Sequence, residues 1–124
     1  MARVSFHCWA ALQEITLPDS VTKIGDMAFY LCPKLQKVTI GNNINEMGEK
    51  VFWMCGQMER ITIKAPIPPK MGEKALQCNI LTDNYPVELW GNLVRPVLYV
   101  PKESIVEYRK IPKIKEYCAR IRGL

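Results

Sequence analysis

A spacing of 23 residues governs the apolar positions in the first half of this chain. Leu12, Leu35 and Met58 are 23 apart, as are Ile15, Val38 and Ile61, then Leu17, Ile40 and Ile63, then Phe6, Phe29 and Phe52. Ile24-Gly25 returns as Met47-Gly48. A fixed period in this range marks a chain built from one supersecondary unit stacked on itself, because a single unit cannot bury its apolar face alone. The expected fold is a repeat solenoid, and 124 residues leave room for one domain. A solenoid is a scaffold, so the period points to a binding surface and leaves its ligand open.

One unit can be read from its chemistry. Residues 12–34 run Leu12-x-x-Ile15-x-Leu17-Pro18-x-x-Val21-x-x-Ile24-Gly25-x-x-Ala28-Phe29-x-x-Cys32. Ile15-x-Leu17 and Val38-x-Ile40 alternate with Thr16 and Thr39, which reads as a short strand. Thr16, Thr39 and Thr62 share one register and are expected to form an outward ladder, with the aliphatics turned into the core. Pro18, or Gly41-Asn42-Asn43 one coil later, ends the strand. A second extended piece, Val21–Ile24 or Ile44–Met47, leads to Gly25 or Gly48, where a sharp turn with positive φ is expected. Ala28-Phe29-x-x-Cys32 then fits one helical turn with Phe and Cys on one face.

This pattern closely resembles the BspA-like leucine-rich repeats, whose 23-residue consensus carries the same Ile-Gly-x-x-Ala-Phe-x-x-Cys block. The likeness covers roughly residues 5–78. Met47, Met58 and Val51 depart from the consensus, and Ser5-Phe6-His7-Cys8 and Ala75-Leu76-Gln77-Cys78 place Cys one residue early. The resemblance implies an α/β-type leucine-rich repeat, with short parallel strands on one face and extended segments and single helical turns on the other. About three coils occupy 5–78. Leu98-Tyr99-Val100-Pro101 aligns with Ile15-Thr16-Leu17-Pro18 as a final strand, and Lys102–Tyr108 resembles the closing segment of a C-terminal helical cap in 97–124. Ile114, Tyr117, Cys118 and Ile121 follow i, i+3, i+4, i+7 spacing, which predicts a second amphipathic turn or helix.

Charge and cysteine placement fit this frame. Residues 1–94 hold nine basic and nine acidic side chains, so the net +5 lies wholly in 95–124, with eight basic residues against Glu103, Glu107 and Glu116. That excess reads as a solvated face on the cap, or as a patch for anionic surfaces. Cys8, Cys32, Cys55 and Cys78 follow the repeat and not a ligand spacing, so reduced, buried thiols are expected and no metal or other cofactor is. Stacked coils also come close enough for disulfide geometry, which stays open. Cys118 is expected to pack in the cap. With His7 as the one histidine and no Gly-rich phosphate loop, the residues of catalysis are missing and an enzyme is not expected. No segment reaches the roughly 18 consecutive apolar residues of a membrane span, and no signal peptide is visible at the start.

Three surfaces are candidates for binding. The first is the outward strand face, with Glu14, Lys37 and Arg60 in one column and Thr16, Thr39, Thr62 and Tyr99 in the next. The second is an irregular insertion within 79–96. A regular coil ends its strand eight residues after Cys32, whereas Cys78 to Val100 takes 22, leaving 14 extra residues that include Tyr85 and Trp90. Long irregular loops often carry function; Trp90 fits equally as a plug on the solenoid side. The third is the N-terminal edge. The chain opens inside a coil, as the C-terminal part of a longer repeat protein would. Phe6, Leu12, Ile15, Leu17, Val21 and Ile24 then face solvent on one side. Covering such a rung is worth on the order of 10 kcal/mol gross, comparable with the ~4–15 kcal/mol cost of association, so a homodimer through the uncapped coil is energetically open. The functional expectation is a non-enzymatic binding or scaffold module. By resemblance it belongs with secreted or surface-displayed bacterial adhesion proteins, with a protein or cell-surface ligand and no nucleic acid. The alternatives are a structural fragment without its own ligand and a basic-patch binder.

Overall fold

The computed structural model describes residues 2–4, 10–78 and 95–124. Within them the chain is a parallel β-solenoid. One sheet has five strands: β2 (Glu14–Thr16), β4 (Lys37–Ile40), β6 (Arg60–Ile63), β8 (Val97–Val100) and β9 (Arg120–Gly123). The second has four: β1 (Ala2–Val4), β3 (Val21–Ile24), β5 (Glu46–Met47) and β7 (Lys70–Met71). All pairings are parallel. The repeat sets the register, pairing Ile15 with Val38 and Val38 with Ile61, so that residues 23 apart lie side by side. The apolar rungs between the sheets are buried: Leu35, Val38, Ile40, Phe52, Ile61 and Ile63 expose nothing. Phe29 and Phe52 stack with ring centroids 5.5 Å apart and an interplanar angle of 18°, within the range of favourable aromatic pairs.

The third side of each coil differs from the helical turn expected there. Its residues form turns bonded between coils: Met27 N–H donates to Glu49 O (2.9 Å), Phe29 N–H to Val51 O (2.9 Å) and Leu31 N–H to Trp53 O (3.0 Å). The amides are thereby satisfied by the next coil. Phe29 and Cys32 still point inward together, both fully buried.

The glycines also work differently. None of those described has positive φ; the left-handed residues are Met27 (53°), Lys50 (49°) and Lys74 (57°), each two after a glycine, Leu31 (56°) and Met54 (63°), and Lys113 (60°) in the cap. Gly48 is required by closeness, since a Cβ there would lie 2.8 Å from Asp26 Cα, and one on Gly72 would lie 2.7 Å from Glu49 N. Two aspartates stitch the same corners. Asp26 Oδ1 accepts from Glu49 N–H (2.9 Å), and Asp19 Oδ1 accepts from Asn42 N–H (2.8 Å).

The far end is closed in two ways. A 3₁₀ turn (Lys102–Ser104) and the single-turn helix α1 (Ile105–Tyr108) dock on the Pro-rich segment 65–69 that follows β6: Tyr108 Oη–H donates to Ala65 O (2.8 Å) and Ser104 Oγ–H to Pro66 O (2.6 Å). The second amphipathic segment is shorter than its apolar spacing predicts. Helix α2 (Ile114–Tyr117) stops at Cys118, whose φ of −125° and ψ of 138° are extended. Ile121 therefore sits on a strand, β9, which pairs with the open edge of β8. Satisfying a row of edge amides outweighs one more turn of an isolated helix.

Candidate binding face

Register builds one continuous outward face on the five-stranded sheet. Glu14, Lys37, Arg60, Val97 and Arg120 form one column, and Thr16, Thr39, Thr62, Tyr99 and Arg122 the next. Strand alternation sends these side chains away from the core that holds Ile15, Val38, Ile61, Leu98 and Ile121. The structure thus brings together all seven residues expected on this face and adds Val97, Arg120 and Arg122. The period-2 pattern Arg120-Ile121-Arg122 was the available signal for the added strand, masked by the helical spacing that ends on the same isoleucine.

The face is not uniform. Glu14, Lys37, Arg60, Arg120 and Arg122 are exposed, whereas Thr62 is 7% exposed. The threonine ladder keeps its register, but its third member, between Thr39 and Tyr99, offers little surface. The Arg60 guanidinium lies over the Tyr99 ring at 4.4 Å, a cation–π contact that holds a long side chain flat across two strands. Among the described residues, no carboxylate lies within 4.0 Å of Lys37, Arg60, Arg120 or Arg122; the ion pairs found are Lys23–Glu46 at 3.6 Å and Lys110–Glu107 at 3.0 Å. Four cations against Glu14 give the face a positive potential that rises toward the cap. The basic excess is therefore split between the cap and the sheet.

The other two surfaces fare differently. Tyr85 and Trp90 lie outside the described residues, as does Phe6. At the N-terminal edge Leu12 and Ile15 are half-buried and pack on the core. Leu17, Val21 and Ile24, expected to face solvent, are instead buried at 3%, 2% and 2% exposure. β1 adds a strand to the outer side of β3 there, so the first rung is covered at the second sheet. What stays open among the described residues is the outer edge of β2.

The cysteines line the interior. Cys32, Cys55, Cys78 and Cys118 are free thiols, all buried, and Cys8 lies outside the described residues. Cys55 Sγ donates to Phe29 O at 3.0 Å. Burial pushes the Cys55 thiol up to about 12; burial does the same for Cys118, against a smaller lowering by Arg95, and drives Cys78 well above the ordinary thiol range. Thiols held protonated in this way are poor nucleophiles and poor metal ligands. Among the described residues no three His, Cys, Asp or Glu side chains gather as a metal site, and no helix is long and apolar enough to cross a membrane.

The family model described as "BspA type Leucine rich repeat region (6 copies)" matches residues 2–88. The chain belongs to this BspA-type leucine-rich repeat family. No curated protein and no solved structure gives a significant match. The family match ends before β8, so the basic end of this BspA-type face (Tyr99, Arg120, Arg122) is built by residues that the match does not reach.

Proposed function

We propose that this BspA-type repeat is a non-enzymatic binding module that engages a protein or cell-surface ligand through the outward face of its five-stranded sheet. The observation that carries the reading is the in-register set Lys37, Arg60, Arg120 and Arg122, exposed and, among the described residues, without carboxylate partners, around the Arg60–Tyr99 stack. Rigid strands fix these groups, so little ordering entropy is lost on contact. Surface display and adhesion are the setting that the family suggests. The concentration of cations also favours a second reading, in which the face holds an anionic surface by charge alone.

Beads coated with the chain and settled on cultured epithelial monolayers test the first reading. Charge reversal of Lys37 and Arg60 together is expected to abolish adhesion at physiological salt, while reversal of Lys23 on the second sheet leaves it intact. Equal adhesion by all three proteins would remove the face from the binding site. Adhesion lost in proportion to added salt, with heparin-coated plates behaving as the cells do, would favour the charge-only reading.

A further inference from the structure

The cap leaves a cavity of about 360 Å³ beside β9, lined by Arg109, Lys115, Arg120 and Ala119, with Ile114 and Ile121 among its apolar residues. The three cations are exposed, and among the described residues none has a carboxylate within 4.0 Å. β9 is also the last strand of its sheet. Leu124 N–H donates inward to Val100 O at 2.8 Å, so in this parallel ladder Arg120 and Arg122 bond inward to β8 and the N–H and C=O groups of Ile121 and Gly123 turn outward. Among the described residues one rim of the cavity is thus an unpaired strand edge, and its side chains are cationic on one side of the sheet and aliphatic on the other.

We propose that this edge and cavity receive an extended acidic peptide segment, which adds to the sheet beside β9. Strand addition supplies main-chain hydrogen bonds to Ile121 and Gly123, and alternate side chains fall on opposite faces. Acidic residues on the outward face meet Arg120 and Arg122, with Arg109 and Lys115 neutralising the remaining carboxylates. Aliphatic residues on the inward face lie against Ile121 and Ile114. An alternating acidic–aliphatic segment satisfies both halves, whereas a basic one meets like charge at the three cations and is rejected. The inference does not depend on the adhesion reading, since it concerns the end of the sheet and not its face.

The test is fluorescence anisotropy of the full chain with a short, terminally blocked peptide of alternating glutamate and valine. Binding is expected to weaken about tenfold in the Arg109→Ala/Arg120→Ala double variant. Unchanged thermal unfolding of this variant keeps the loss local, and both substituted residues are exposed. Backbone N-methylation of the peptide is expected to remove binding. Equal binding by the N-methylated peptide, by a lysine–valine peptide, or by the double variant would overturn the proposal. So would a heparin oligosaccharide that binds at the same residues while the glutamate–valine peptide does not.

Discussion

The repeat coils and the C-terminal cap solve the same problem by different means. In the coils every contact recurs at the period: Phe29 on Phe52, Val38 beside Ile61, Asp19 and Asp26 each reaching 23 residues ahead. The cap departs from the period. It closes the end with two hydrogen bonds to the carbonyls of Ala65 and Pro66 and with a strand that pairs on β8. The coils therefore hold by packing, which is redundant along the stack, and the cap by a few polar anchors, which are not.

That contrast can be tested directly. The largest effect is expected at the packing. Phe52→Ala removes a fully buried ring that stacks on Phe29 and is expected to cost about 3–5 kcal/mol in urea unfolding. A loss under about 1 kcal/mol would mean that neighbouring coils close the gap. Tyr108→Phe keeps the ring and deletes the bond to Ala65 O, leaving that buried carbonyl short of a partner; about 1–3 kcal/mol is expected. Hydrogen exchange should place the Tyr108→Phe loss in the cap amides and the Phe52→Ala loss across the coils. A uniform loss in both would erase the distinction between the two regions.

The smallest effect near neutral pH comes from the cysteines, which run through both regions. Their folded-state pKa values lie above the ordinary value of 9.0, so the folded state holds thiol protons that the unfolded state releases. The resulting sign is a stability that is flat below about pH 9 and falls as pH climbs toward 12. Urea midpoints at pH 8 and pH 10.5 measure it. Substituting Cys55 and Cys118 by alanine in turn shows whether coil and cap contribute alike. Thiol-reactive dye at pH 8 is expected to label none of the four described cysteines until denaturant is added.

Much of this was legible in the residues. The rungs, the Phe and Cys columns and the final strand at Leu98–Val100 follow from apolar side chains recurring at one interval, because stacking translates sequence period into spatial register. The outward face followed too, at Glu14, Lys37, Arg60 and the threonines, since strand alternation is local. The corners did not. Asp19 and Asp26 carry no periodic apolar signal, and their bonds reach the neighbouring coil. Gly48 reads as a turn residue, but its constraint is the approach of Asp26 from the coil before it. The burial of Leu17, Val21 and Ile24 was missed for the same reason: β1 covers that end from a distance in sequence.

The amino-acid sequence alone determined the solenoid and which side chains enter its core, because hydrophobic periodicity is a one-dimensional signal that stacking preserves. The tertiary structure decided how the ends close and where the basic charge is displayed. Ile121 satisfies both a helical spacing and a strand alternation, and only the unpaired edge of β8 selects the strand. That choice carries Arg120 and Arg122 from a cap helix onto the sheet that holds Arg60 and Tyr99.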